Sequence, residues 1–319
     1  MFKIIISDNI YHSSISAEET KPEAERSLLF SLLKQQRTQI LSAEETIQIK
    51  TNPETVLKNP SSLYLLDITK AEAMSIQQSY GVMCMNKDNI DLSQLIDIND
   101  EHTTNEHETL GNGWDTVLNS VEHLPSNALI FTDRYLFADA SPKKGEGFSN
   151  IRDILNELLP KKMLGEYHIT IVFDNESKHP SYKFQGIATQ LNKLKQQFNR
   201  DYPIMMEVLG ITPDCSIYNS LHNRRIISNY YTIKVDHKLA AFNLNKGTVQ
   251  QTITPQVLFT EDSIKRRSTP PLKSIEQVTT VLREFSRSLG KLRDHSVYCY
   301  AVNGKWMERC MGIRNRLMK

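Results

Sequence analysis

Apolar positions in the first ninety residues fall into short continuous runs separated by stretches with helical spacing. Phe2–Ile6, Leu63–Leu66 and Val82–Met85 are runs of strand length. Between the first two, Ala24, Leu28, Leu29, Leu32 and Leu33 share one face, which predicts a helix over 22–37 with Thr20 as its cap and Pro22 in its first turn. Residues 86–113 are polar and acidic and carry the turn signal Asn112-Gly113, so a linker is expected there, ending near Ser126. From Asn127 strands and helices alternate. Ala128–Thr132, His168–Phe173 and Ile204–Leu209 read as strands. Ile151, Ile154, Leu155, Leu158 and Leu159 form one helix face, and Ile187, Leu191, Leu194 and Phe198 another. Tyr230–Val235 reads as a hairpin partner, and Lys238–Phe242 begins a further element. In the tail, Ser274-Ile275-Glu276-Gln277 fits a capping box for a helix with Val278, Leu282, Phe285 and Leu289 inward. Val297–Val302 is a last strand, turning at Asn303-Gly304. The alternation implies a largely parallel or mixed sheet covered by helices.

Charge divides what composition leaves uniform. The 319 residues are 39% hydrophobic and 24% charged, ordinary for a globular protein, with a formal net charge of +1. Residues 1–126 hold 9 Lys/Arg against 19 Asp/Glu, and residues 263–319 hold 13 against 4. Such polarity points to two surfaces with different partners, or to head-to-tail contact between copies. No apolar run approaches the roughly 18–20 residues that span a bilayer. The four cysteines form no CxxC pair, which predicts reduced thiols and a cytoplasmic protein.

The most specific chemical pattern is Leu221-His222-Asn223-Arg224-Arg225-Ile226-Ile227-Ser228-Asn229-Tyr230. Phospholipase D-type phosphodiesterases space an imidazole, a cation and a carboxylate as His-x-Lys-x4-Asp, and this chain has His-x-Arg-x4-Asn. Arg224 suits phosphate because its planar fork binds bidentately and keeps its charge. Asn229 replaces the carboxylate that would orient His222, and a comparable Asp-to-Asn exchange in a serine protease costs roughly 10⁴ in rate. Catalysis of this type also needs two copies of the motif. Only His222 of the nine histidines has a cation two residues on, so an active site would require a homodimer.

Residues 127–245 resemble the phospholipase D-like C-terminal domain of MIT-domain proteins. Ile130-Phe131-Thr132-Asp133-Arg134-Tyr135-Leu136 is similar to that family's Asp-Pro-Tyr-Ile-Arg strand end. Asn150–Glu157 is similar to its Asn-Leu-x-x-Phe helix, and Leu221–Ile226 to its Ile-His-Asp-Arg-Glu-Ile. Asn229-Tyr230-Tyr231-Thr232-Ile233-Lys234 parallels Asn-Gly-Trp-x-Ile-Lys, and Leu239–Phe242 parallels Leu-Asp-x-Phe. The resemblance implies a phospholipase D fold that binds acidic headgroups without hydrolysing them. Related prokaryotic domains extend the implication to antiviral defence systems.

Three further groups bear on function. Asp133 and Arg134 close an apolar strand, where ligands of α/β sheets bind. Asp8 and Asp67 also end strands, and Glu101-His102 with Glu106-His107-Glu108 forms an acidic loop. Strand-terminal Asp is a common turn former, so neither a metal nor a cofactor is expected. Arg283, Arg287 and Lys291 recur every fourth residue opposite the apolar face, after Lys265, Arg266 and Arg267, a stripe suited to a phosphate backbone.

The sequence therefore predicts three segments. Residues 1–126 form an acidic α/β region, 127–262 a phospholipase D-like mixed sheet flanked by helices, and 263–319 a basic extension packed on it. The expected role is recognition of nucleic acid or another phosphate-bearing ligand by His222, Arg224, Arg225, Asn229, Asp133 and Arg134. The alternatives are a homodimeric phosphodiesterase or nuclease using His222, and a protein adaptor working through its charged ends.

Overall fold

A computed structural model describes residues 2–22, 25–97, 104–105, 117, 120–138, 145–221, 223–235, 239, 252–260, 270–289, 297–301, 305–307 and 312–319. The first sheet contains β1 (Ile4–Ser7), β2 (Thr38–Leu41), β3 (Leu63–Leu66) and β4 (Met83–Asn86), all parallel, in the order β2-β1-β3-β4. The continuous apolar runs follow from burial on both faces. Ile4, Ile6, Leu63, Leu65, Met83 and Met85 face the main core. Their neighbours Ile5, Tyr64, Leu66 and Cys84 pack into a smaller one.

Several features here differ from the sequence reading. Helix α1 (Asp8–Glu19) was not expected, because it buries only Ile10 and Glu18 and lacks an apolar stripe. Thr20 ends this helix instead of capping the next. Helix α2 (Leu28–Gln35) starts at Ser27, whose side chain accepts from the Phe30 amide. Strand β2 is polar and half exposed at the sheet edge, so it left no apolar run to read. Helices α3 (Ala43–Thr51) and α4 (Lys70–Tyr80) both begin with complete capping boxes, Ser42 with Glu45 and Thr69 with Glu72.

Of the 86–126 stretch, described residues form two short strands, β5 (Ile96–Asp97) and β6 (Thr104–Asn105). The Asn112-Gly113 turn lies outside the described residues. The large sheet then builds from β7 (Ala128–Thr132), α5 (Glu146–Leu158), β8 (Tyr167–Asp174), α6 (Phe184–Gln197) and β9 (Ile204–Ile211). Next come β10 (Arg225–Ile227), β11 (Tyr231–Val235), β12 (Thr252–Val257) and β13 (Phe259–Thr260). Helix α7 (Pro270–Leu289), β14 (Val297–Ala301) and β15 (Lys305–Met307) complete it. Strand order is β15-β14-β9-β8-β7-β10-β11-β12-β6, while β13 pairs separately with β5. Within this nine-stranded sheet β7, β8 and β9 run parallel, and β10, β11, β12 and β14 are antiparallel to their neighbours. The result is a mixed sheet flanked by helices. Phe184, Ile187, Ala188, Leu191 and Leu194 bury one face of α6, each large side chain contributing about 1.5–3 kcal/mol. Helix α7 starts at Pro270, so Ser274 lies inside it and not at its cap; prolines suit a first turn.

The acidic region is joined to the sheet by a buried polar seam. Tyr230, fully buried, receives the Met83 amide at 2.8 Å on its hydroxyl and donates to the Ser62 carbonyl at 2.8 Å. Asn229 Oδ1 accepts the Asn127 amide at 3.0 Å. Its Nδ2 donates to the Pro60 carbonyl at 2.8 Å and to Asn127 Oδ1 at 3.0 Å. Asn127 Nδ2 donates in turn to the Tyr80 and Gly81 carbonyls.

Residues 312–319 pack back onto the sheet. Buried Glu207 accepts the Arg314 and Asn315 amides and the Thr170 hydroxyl, and burial raises its pKa. No helix among the described residues is long and apolar enough to cross a membrane.

Candidate functional site

The carboxyl ends of β7 and β8 lie side by side because those strands are parallel, Thr132 opposite Val172. Each strand delivers a buried carboxylate there, Asp133 and Asp174. Strand β10 runs antiparallel to β7 with Arg225 opposite Thr132, so the preceding Arg224 falls opposite Asp133. Arg224 Nε lies 3.4 Å from Asp133 Oδ1. Asp133 also accepts the Tyr135 amide at 2.9 Å and the Leu239 amide at 3.1 Å. Asp174 accepts the amides of Glu176 and Ser177, the Ser177 hydroxyl at 2.6 Å and the Tyr218 hydroxyl at 2.7 Å. Arg134 Nη2 lies 3.8 Å from Asp174 Oδ2 and bonds the Tyr218 hydroxyl.

Both carboxylates are therefore engaged by donors from the chain. Their arrangement fixes guanidinium positions and turn geometry, and it does not offer oxygens to an ion. No group of three or more metal-type ligands occurs among the described residues. Asp8 and Asp67 are engaged separately, Asp8 with His12 and Asp67 with Asn9 and Lys87, and the Asn9 bond is the main cause of a lowered Asp67 pKa. Glu101, His102, Glu106, His107 and Glu108 lie outside the described residues.

Both guanidiniums approach Tyr135, which is 37% exposed. The Arg224 carbon Cζ is 5.3 Å from its ring centre and that of Arg134 is 5.8 Å away. Arg134 also stacks on Tyr218 at 4.1 Å. An accessible ring with two positioned guanidiniums nearby can stack a base and bring its phosphate to a guanidinium.

The structure thus brings Asp133, Arg134 and Arg224 together. Arg225, the next residue along β10, points to the other face of the sheet, as alternation requires, and bonds Ser274 on α7. Asn229 corrects the sequence reading: it is 1% exposed and belongs to the seam, not to a ligand site. Arg283 Nε donates to the Met318 carbonyl at 2.5 Å, which ties it to residues 312–319. Arg287 is exposed. His222, Lys265, Arg266, Arg267 and Lys291 lie outside the described residues. Sequence reasoning passed over Tyr135, Asp174 and Tyr218. A second strand-terminal Asp after Phe173 was the available signal for Asp174; Tyr218 sits in a loop without periodicity.

No protein-family model and no curated protein matches the chain. Among solved structures it is similar to the crystal structure of Drosophila Piwi, at 12% identity and a TM-score of 0.21, over 82% of this chain and 42% of that one. It is also similar to the Argonaute protein from Methanocaldcoccus janaschii in complex with guide DNA, at 11% identity and a TM-score of 0.19, over 90% of this chain and 44% of that one. The chain spans less than half the length of either protein. Likeness at these scores carries no argument, and the site rests on its own geometry.

Proposed function

We propose that this protein recognises a phosphate-bearing ligand, specifically single-stranded nucleic acid, at the crevice formed by Arg134, Tyr135 and Arg224. The observation that carries the reading is the exposed Tyr135 ring with two guanidiniums within 6 Å of its centre, each paired with a buried Asp. Two cations and two carboxylates nearly cancel, so the crevice favours stacking and directed hydrogen bonds over bulk electrostatic attraction. A phospholipase D-like arrangement of residues 127–245 stays within the proposal, supported by the antiparallel pairing of Arg225–Ile227 with Tyr231–Val235 beside the motif.

The test is fluorescence anisotropy with labelled single-stranded DNA and RNA. Tyr135→Ala should weaken binding about five- to 150-fold, the equivalent of about 1–3 kcal/mol for one stacked base. Arg224→Lys should keep the charge and still lose affinity, because a point charge does not replace the fork. Wild-type protein that binds neither polymer at low salt, or a Tyr135→Ala variant that binds normally, refutes the reading. Cleavage by pure protein that disappears in His222→Ala would replace recognition by catalysis.

A further inference from the structure

Arg225 and Lys234 occupy directly opposed positions on β10 and β11. The Val235 amide bonds the Arg224 carbonyl and the Ser228 amide bonds the Tyr231 carbonyl, which makes 224/235 and 228/231 hydrogen-bonded pairs. By alternation 225/234 is a non-hydrogen-bonded pair, the type that holds side chains closest. Like charges directly opposed in this way are destabilising. Neither residue forms an ion pair among the described residues. Burial lowers the pKa of Arg225, and burial followed by the Arg225 charge lowers that of Lys234.

The surroundings on this face are polar and incompletely satisfied. Thr254 of β12 lies opposite Lys234, and Gln256 lies opposite Thr232. Thr232 is fully buried, yet its hydroxyl has no hydrogen-bond partner, and the same holds for Arg225 Nε and Gln256 Oε1. On the helix side, Ser274 Oγ accepts from Arg225 Nη1 at 2.5 Å. Among the described residues this cation pair has no carboxylate partner and sits beside the unmet donors Arg225 Nε and Thr232 Oγ1, so it lacks an anion.

We propose that Arg225 and Lys234, with Ser274, form an anion seat that binds a phosphate group. The seat lies on the sheet face opposite the Tyr135 crevice and stands independently of it. The phosphate can be a free or terminal monoester, or a diester within a polynucleotide.

Thermal denaturation in inorganic phosphate, against chloride of equal ionic strength, tests the first source. Anisotropy with oligonucleotides bearing or lacking a 5′-phosphate tests the others. Lys234→Gln is the main variant because Lys234 is only half buried; Arg225→Gln is the second. In chloride, Lys234→Gln should melt at or above the wild-type temperature, since it removes a repulsion. Phosphate should raise the wild-type melting temperature in a saturable way and leave Lys234→Gln unmoved. Loss of oligonucleotide affinity in Lys234→Gln only when a 5′-phosphate is present assigns a terminal group, and loss in both cases assigns a diester. Tyr135→Ala should respond to phosphate like wild type, so the seat and the crevice can fail separately. The seat is refuted if Lys234→Gln lowers the melting temperature in chloride, which would reveal a carboxylate partner in the chain. It is also refuted if neither phosphate nor any oligonucleotide distinguishes that variant from wild type.

Discussion

Replacing Asn229 by Asp restores the carboxylate that the phosphodiesterase motif carries, and the structure predicts a weaker fold with no gain of activity. Asp keeps the bond from the Asn127 amide to Oδ1. Its second oxygen then faces the Pro60 carbonyl at 2.8 Å and Asn127 Oδ1 at 3.0 Å, both acceptors, in a site 1% exposed. A buried charge without a partner costs about 3–5 kcal/mol. One pKa unit corresponds to about 1.4 kcal/mol, so that cost moves the folded pKa from about 3.9 to about 6–8. The folded state then holds the proton more tightly than the unfolded chain. Stability is intact below about pH 4 and is lost as pH rises through the folded value.

Urea unfolding at a series of pH values measures this. The gap between wild type and Asn229→Asp should be small near pH 4, widen by up to about 1.4 kcal/mol per pH unit, and level off at about 3–5 kcal/mol. Asn229→Ala should cost about 2–4 kcal/mol at every pH, because it strands the Asn127 amide and the Pro60 carbonyl without adding a charge. An Asn229→Asp protein as stable as wild type at pH 7, or one that acquires phosphodiesterase activity, would show that position 229 faces a ligand.

Two other substitutions probe the same structure. Gly81 ends α4 with φ +60°, and a Cβ there would sit 2.2 Å from the Ser126 carbonyl oxygen. Gly81→Ala should cost at least about 3 kcal/mol and lower Tm by about 6 °C or more; an unchanged Tm would mean that the seam opens freely. Arg283→Gln should lower Tm without altering the salt dependence of nucleic-acid binding. Arg287→Gln should do the reverse, reducing the slope by about 0.7–0.9, and equal slopes for the two variants would contradict the bonds Arg283 makes to the tail.

The elements legible in the sequence were those whose burial imposes a period. Strands β1, β3, β4, β7, β8, β9 and β11 and helices α5 and α6 lie where their apolar runs place them, with ends shifted by a few residues. Helix α1 and strand β2 were illegible because neither buries a continuous face. The site was half legible. Asp133, Arg134 and Arg224 stood out as a strand end and a spaced cation, but only the register of β10 on β7 shows that Arg224 meets Asp133. Asn229 misled because an amide at a motif position looks like a decayed catalytic group. Its actual partners are 102 and 169 residues away in sequence, a pairing that no local pattern encodes.

The same limit applies to charge. The tail holds 13 Lys/Arg against 4 Asp/Glu, yet a charge count does not say which cations face solvent. Arg283 is tied to the Met318 and Lys319 carbonyls. Arg316 is 6% exposed, and burial, followed by the Arg316 charge, lowers the His168 pKa. Cations committed in this way stabilise the packing of residues 312–319 and release no counterions to a polyanion. Arg225 and Lys234, from a stretch of unremarkable charge, are opposed across a strand pair, and neither forms an ion pair among the described residues. Only a cation that meets a phosphate contributes to the salt slope. When the seat holds a diester of the polynucleotide, neutralising strand-borne Arg225 and Lys234 together should therefore lower the slope by about 0.7–0.9, the share of one phosphate, whereas Arg283→Gln should leave it unchanged.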